Sequence, residues 1–479
     1  MKDFRPWMLC FFFLLRSGLP AQQAATPVFR AGAASSNLTP PLGSLLVGGW
    51  TPSPAQYVHD ELHARCLALD DGQTRLAFAV ADNLGISRDV YDEAKRAIHQ
   101  KSGLPVENML MSSTHTHSSA SARGKGGIAG GELLDDYQRF VASRLTDCVL
   151  NAIHNLEPAR VGWGSGSEPN QVFNRRWRVK TPVINPFGGK DLALMNPGQG
   201  NPNLLEPAGP TDPEISFLSV QSVSGRPIAL LANYSLHYVG GVGPNHISAD
   251  YFGMFAGRIK ELLGAQGQDP PFVGILSNGT SGDINNNDYS PNRSAPARRF
   301  QPYERMRMVA NVVAAEVYRV YQTTRHHDWA PLRVVQREIP MGVRVPSPEQ
   351  VAWAKAVLSR PKDAPKVHIR EDAYAPRVMR MSTYPSQIPY ILQAVRVGDL
   401  GIAAIPNEVF VEIGLELKKR SPFPRTFTIS LANGSYAYLP TPEQHQLGGY
   451  ETWLGSSLLE IEASRKIVKN LLEMFGQLQ

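Results

Sequence analysis

The chain has 479 residues, 42% of them apolar and 19% charged, the balance of a globular protein with a sizeable core and room for one large domain or two medium ones. Its formal net charge of +6 at pH 7 is small for that length, and the bases form no stripe or aromatic-interleaved patch, so nucleic acid is not an expected partner. The absence of low-complexity tracts, charge blocks and repeats at solenoid or propeller periods excludes a mostly disordered or repeat-built chain.

The start of the chain reads as a targeting segment. Lys2 and Arg5 make a basic beginning, and residues 7–15 are an apolar run of nine, too short for a stable membrane anchor. Leu19-Pro20-Ala21 then offers a small residue for cleavage. Residues 1–21 are therefore expected to be a signal peptide, and the mature protein to be exported, periplasmic or extracellular. Loss of Lys2, Arg5, Arg16 and Asp3 lowers the charge by two, from +6 to +4. No later stretch is long and apolar enough to predict a transmembrane helix. Cys10 leaves with the leader. Cys66 and Cys148 remain, and in an oxidising compartment they can pair or stay apart as small buried apolar residues.

Onward from there, strands and helices alternate. A short apolar run at 76–81 reads as a buried strand, 88–101 as a helix, 109–113 as a second strand and 137–156 as a long amphipathic helix. Residues 215–220 and 228–232 read as paired strands around the Ser224-Gly225 turn. Helices follow at 252–263 and 303–321. Ser347 is a capping residue, followed by Pro348 at the first helical position and Gln350 three residues after the cap. Residues 400–405 read as a fully apolar strand, and 457–475 as a closing amphipathic helix. The alternation predicts an α/β (mixed α+β) fold, with a large mixed sheet or sheets flanked by helices. Segments 181–213 and 285–302, rich in Pro, Gly and Asn, read as long loops.

Candidate chemistry gathers at strand exits. Ser112-Ser113-Thr114-His115-Thr116-His117-Ser118 follows the strand at 109–113. On an extended backbone, residues two apart point to one side, so both imidazoles could face one pocket, one binding a metal and the other meeting substrate or moving a proton. His237, in Asn233-Tyr234-Ser235-Leu236-His237, follows the strand at 228–232. Glu408, in Ile405-Pro406-Asn407-Glu408, leaves the strand at 400–405. Tyr438 lies in Asn433-Gly434-Ser435-Tyr436-Ala437-Tyr438. Taken singly, each also fits a plain structural role as a loop histidine, a polar cap, a helix-capping carboxylate or a packed tyrosine. His59-Asp60-Glu61-Leu62-His63 looks like a zinc-protease helix motif, but it runs into a strand-like Ala64-Arg65-Cys66-Leu67-Ala68-Leu69 and carries Asp directly after the first His. His326-His327 has no assigned role. Asp82 and Asp250 are candidates either for fixing a metal-binding imidazole or for structural hydrogen bonds.

Taken together, these segments resemble the catalytic domain of neutral (non-lysosomal) ceramidases over residues 28–476. The landmarks come in the family's order: Thr114-His115-Thr116-His117, the Asn233-to-His237 segment with Ser248-Ala249-Asp250-Tyr251, the Ser281-Gly282-Asp283 loop, Pro406-Asn407-Glu408, and Asn433 to Tyr438 with Thr441, Glu443 and Tyr450-Glu451 downstream. The resemblance implies one zinc ion per chain, held by His115, His237, Glu408 and Tyr438. It gives His117 a role in orienting substrate or stabilising an oxyanion, and it matches Arg175, in Phe173-Asn174-Arg175, to a family arginine near the site. Two imidazoles, a carboxylate and a phenol oxygen suit zinc with an open position. The implied activity is hydrolysis of an N-acyl amide bond, N-acylsphingosine giving a sphingoid base and a fatty acid, with a small-molecule or lipid substrate as partner.

Two departures qualify that expectation. The family places a serine, proposed as the attacking group, after Gly-Asp; here Gly282-Asp283-Ile284 is followed by Asn285. Water activated by zinc could attack, a hydroxyl from Ser281 or Thr280 could stand in, or the chain could retain the metal without turnover. Asn285 could still donate to an oxyanion, and Asp283 is a candidate base or ligand-orienting group. The same zinc site acting on another ester, amide or glycosidic substrate, and a catalytically inactive secreted zinc-binding protein, are the alternative functions. The family's additional C-terminal β-rich domain is expected to be absent after the closing helix. Acyl-chain preference and oligomeric state are left open.

Overall fold

A computed structural model describes residues 1–3, 27–124, 128, 130–131, 133–290, 299–361 and 363–479. The expected cleavage region and apolar leader lie almost wholly outside the described residues. Among the described residues, no helix is long and apolar enough to cross a membrane.

Two sheets pack face to face. The larger has eight strands, in the order Val273–Asn278, Pro227–Tyr234, Glu214–Ser222, Glu157–Ser167, Arg30–Asn37, His63–Asp70, Arg75–Ala81 and Met109–Ser113. Both outermost pairings are parallel and the inner ones antiparallel. The smaller has four strands, Leu332–Gly342, Gln387–Val397, Leu400–Ile405 and Arg425–Ser430, with only the last pairing parallel. Strand Arg75–Ala81 shows why the sheets stack. Leu76, Phe78 and Val80 join Ile402, Phe427 and Ile429 in the core between the sheets. Ala77, Ala79 and Ala81 alternate onto the opposite face, where helices Arg88–Ser102 and Asp136–His154 lie with Val90, Tyr91, Leu145 and Val149. The period of two thus puts bulky residues between the sheets and small ones under the helices, which lets the helix backbones come close. Helices Asp250–Leu262 and Glu304–Tyr321 pack with Phe217 and Leu230 at the far end of the large sheet. Helix Ala463–Gln477 covers the small sheet through Ile467, Leu471 and Phe475.

Most expected elements are present within a few residues, and the Ser347 cap forms the full reciprocal box with Gln350. Two differences matter, and two open readings are resolved. Segment 181–213 is not one loop: Arg176–Ile184, Lys190–Met195 and Leu204–Pro207 form a three-stranded sheet. The closing helix begins at Ala463, because the preceding residues are drawn into bridges, Val343 with Leu459 and Ala437 with Ser457. Cys66 and Cys148 form a disulfide that ties strand His63–Asp70 to helix Asp136–His154. The His59-to-His63 segment is no helix, since His63 opens a strand and Asp60 accepts hydrogen bonds from Ser248 and Ala249.

Candidate active site

The large sheet brings its two parallel edges together at the ends where their strands finish. Asn278 Nδ2, on the last residue of one edge strand, donates to the Thr114 carbonyl just past the other at 3.2 Å. The loop that follows strand Arg425–Ser430 docks on the same edge. Ser113 N donates to Leu431 O, Asn433 N to Met111 O, and Lys95 Nζ to Asn433 Oδ1. Five strand exits therefore converge, and they deliver His115, His237, Ser281, Glu408 and Tyr438 to one region.

The backbone there is strained. His115, Leu431, Asn433 and Ala437 all lie in the left-handed region, with φ of 68°, 51°, 61° and 58°, a conformation that costs a non-glycine residue about 1–2 kcal/mol. Such strain persists only where the surroundings over-determine it, and it gathers at functional sites. His115 is held by its N–H on Asn83 O at 3.0 Å. Two glycines permit close approach. A Cβ on Gly48 would sit 2.1 Å from His117 O, and one on Gly282 would sit 2.6 Å from Glu408 O.

His115 Nδ1 lies 2.6 Å from Leu84 O and His237 Nδ1 lies 3.0 Å from Ser281 O. Carbonyls only accept, so both Nδ1 atoms carry hydrogen and both Nε2 atoms present lone pairs. Those lone pairs point at Glu408, whose Oε2 is 3.3 Å from His115 Nε2 and 4.0 Å from His237 Nε2. His117 Nε2 lies 3.0 Å from His115 Nε2. The donor nitrogens of His115, His117 and His237 all fall within 4.8 Å of one another. The two Thr-His imidazoles thus converge, but through the turn at His115 rather than through strand alternation. His117 also stacks on Tyr238, with ring centroids 3.7 Å apart.

Burial, then Arg175 and His115, hold the His237 imidazole well below its ordinary pKa; burial and His115 do the same for His117. Burial opposes ionisation of Glu408, but the neighbouring His115 imidazole, then His237 and Arg123, outweigh it and keep the carboxyl below its usual range. His237 Nε2 and Glu408 Oε2 are both buried without a hydrogen-bond partner among the described residues. Unpaired buried lone pairs aimed at one another are costly, and a cation between them would satisfy both. The donor set therefore fits a metal ion, and His115, His117 and His237 could hold one.

Tyr438 pairs with Glu408 in a short parallel ladder. Burial, and next the Glu408 charge, raise its phenol well above its ordinary pKa. The Arg175 guanidinium lies over its ring at 5.4 Å. Arg175 also donates to Glu451 at 2.9 Å and to Gly282 O at 2.8 Å. Glu451 accepts Arg176 as well, at 2.7 Å.

A cavity of about 390 Å³ opens over these groups, and its lining includes His115, His117, Arg175, Glu408 and Tyr438. Ser281, Asp283 and Asn285 stand behind that wall. Ser281 Oγ donates to Asn278 Oδ1 at 2.7 Å. Asp283 accepts Val411 N and Asn174 Nδ2 at 2.9 and 2.8 Å. Asn285 donates to Asn196, which lines the cavity. Asp82 and Asp250 touch no ligating imidazole: Asp82 accepts Arg65 and His63 N, and Asp250 accepts Val239, Gly240 and Tyr251 N. Backbone carbonyls orient the imidazoles instead. Sequence reasoning missed Arg123, Arg377 and Arg380 of the lining; none lies in a motif.

The geometry defines a two-sheet α/β protein with a buried imidazole–carboxylate centre at its strand ends. No family model matches the chain. It is 22% identical over 256 residues to neutral ceramidase A of Dictyostelium discoideum, across 50% of this chain and 32% of that protein. The match thus spans about a third of that relative's length. In fold it is similar to the crystal structure of neutral ceramidase from Pseudomonas aeruginosa. The TM-score is 0.68 at 17% identity, over 94% of this chain and 74% of that one. A structure of ceramidase complexed with C2 also gives 0.68, at 15% identity, over 94% and 75%. In sequence and fold together, the chain is neutral ceramidase-like.

Proposed function

We propose that this chain is an exported, zinc-dependent hydrolase of N-acyl amide bonds, ceramidase-like in chemistry, with residues 28–476 as its catalytic domain. The observation that carries the reading is the convergence of the two Nε2 lone pairs of His115 and His237 on the Glu408 carboxylate. His115, His237, Glu408 and Tyr438 would hold the metal, and the position of His117 lets it join them or face substrate. Imidazole, carboxylate and phenol donors suit zinc. A zinc ion so held would supply Lewis acidity toward the scissile carbonyl and would make water easier to deprotonate.

The chain's own groups do the rest. His117, kept neutral and partly open to the cavity, can accept or return a proton at Nε2. Arg175, fixed by Glu451 and Gly282 O, holds the Tyr438 phenol in place and puts positive charge where an oxyanion would develop. The placing of Ser281 and Asn285 behind the wall favours water over a hydroxyl of this loop as the attacking group. A groove of about 280 Å³ adjoins the cavity through Trp50, Met195 and Tyr450, and Val183, Ile184, Leu194 and Ile369 make it apolar enough for an acyl chain. The Cys66–Cys148 disulfide agrees with export to an oxidising compartment.

The test is release of fatty acid from a panel of labelled N-acyl substrates, with and without chelator, alongside metal analysis of the purified protein. Chelator-sensitive release supports the reading. Stoichiometric zinc with no turnover on amide, ester or glycoside would leave a binding protein.

A further inference from the structure

The charged side chains of the cavity lining are Arg123, Arg175, Arg377, Arg380 and Glu408. Arg175 is paired with Glu451, which it shares with Arg176, and Glu408 faces the histidine centre. Among the described residues, no carboxylate pairs with Arg123, Arg377 or Arg380. The contrast within helix Glu371–Met381 is informative. Its acids point away, Glu371 pairing with Arg360 at 2.5 Å and Asp372 with Arg360 at 3.1 Å. Arg377 and Arg380, three apart and so on one face, line the cavity beside Met381. Arg377 is packed over the Tyr374 ring at 4.8 Å. Arg123 comes from a different segment of the chain and packs against Gly85, where a Cβ would meet its side chain at 2.9 Å. Of the three, only Arg123 bears on Glu408, so guanidiniums outnumber carboxylates around this cavity, and a divalent cation adds to the excess. A neutral substrate would leave that charge uncompensated.

We infer that Arg123, Arg377 and Arg380 form an anion-recognising wall, and that the substrate carries a carboxylate or phosphate group near its scissile acyl bond. This rests on the hydrolase reading of the same cavity. The layout has three parts: an apolar groove for the acyl chain, the histidine centre for the carbonyl, and planar guanidinium forks that match carboxylate or phosphate oxygens.

The experiment uses three ligands with one acyl chain: N-dodecanoyl-2-aminoethanol, its phosphate monoester, and N-dodecanoylglycine. Binding to metal-free full-length protein is measured by calorimetry, so turnover is not required, and hydrolysis of each is followed on the zinc-loaded protein. One or both anionic ligands should bind about 10- to 100-fold more tightly than the neutral one, the span of a charged hydrogen-bonded contact. Which anion wins separates carboxylate from phosphate recognition. R123Q, R377Q and R380Q should each narrow the anionic-to-neutral ratio, and the R377Q/R380Q double variant should bring it close to one. Arg380 is exposed, so R380Q keeps the test informative even if R123Q fails to fold. A ratio near one in the wild type, or a ratio that none of the variants changes, overturns the inference. Arginine-dependent binding of an anion that is never cleaved sustains the inference and removes the hydrolase reading instead.

Discussion

Ser281 holds His237 from the edge of the ring opposite the candidate metal centre. Its carbonyl accepts Nδ1–H at 3.0 Å while its hydroxyl donates to Asn278 at 2.7 Å. The hydroxyl is therefore separated from the cavity by the width of an imidazole. Ser281→Ala removes one buried hydrogen bond, worth about 1 kcal/mol, and leaves the carbonyl in place. Turnover should stay within about threefold of wild type and the unfolding midpoint should drop slightly. A loss of a hundredfold or more in kcat, with zinc content unchanged, would restore the serine as a nucleophile.

Glu408 is expected to be the side chain most sensitive to metal removal. Its Oε2 has no hydrogen-bond partner among the described residues and faces two imidazole lone pairs. Zinc at a hundred times its dissociation constant should raise stability by about 2.7 kcal/mol, visible as a higher melting temperature that chelator reverses. Glu408→Gln keeps the shape and removes the charge. It should lower zinc affinity at least tenfold and abolish most of the zinc-dependent stabilisation. Equal zinc stabilisation in both proteins would show that the metal binds elsewhere.

Three candidate positions were legible because each follows a strand whose apolar pattern is strong: His115 after Met109–Ser113, His237 after Pro227–Tyr234 and Glu408 after Leu400–Ile405. The grouping of these three with Tyr438 as one ligand set rests on the resemblance alone, since spacing says nothing about convergence across hundreds of residues. The sheet built from Arg176–Ile184, Lys190–Met195 and Leu204–Pro207 was hidden because its strands are largely solvent-facing. Exposed Arg178, Lys180 and Thr181 in the first, and turns rich in Asn, Gly and Pro between them, read as loop. The cavity arginines were hidden for another reason. Arg123 sits in a loop and Arg377 and Arg380 on a helix interrupted by Pro376, and a surface arginine in sequence looks the same whether or not it turns into a pocket.

Glu451 should prove to be the costliest single charge to remove. It is fully buried and accepts from both Arg175 and Arg176, which are themselves buried. Removing one partner of a buried pair leaves uncompensated charge, at about 3–5 kcal/mol. Here two guanidiniums lose their counter-charge at once, and the Gln amide can accept from only one of them. Glu451→Gln should therefore destabilise by at least that amount in urea unfolding, and it should loosen Tyr438 through Arg175. Arg178→Gln, whose partner Glu206 is exposed, is the control and should change stability by under about 1 kcal/mol.

Asp283 separates a structural from a catalytic carboxyl. Burial, against the pull of the Val411 N–H, raises its pKa from 3.8 to about 7, which is where a general base is best placed. Yet both oxygens are occupied by Val411 and Asn174, and the group does not line the cavity. With the folded pKa above the unfolded one, the native state binds the extra proton between about pH 4 and 7. Ionisation of Asp283 therefore costs stability progressively as pH rises through that window, by at most about 1.4 kcal/mol per pH unit. Asp283→Asn loses the hydrogen bond from Asn174 but cannot ionise. Its stability relative to wild type should accordingly improve from pH 4 to pH 7, while the pH dependence of kcat/KM keeps its shape. Denaturant unfolding at several pH values checks the first part. A shifted limb in the pH–rate profile of the variant would instead make Asp283 a participant in proton transfer.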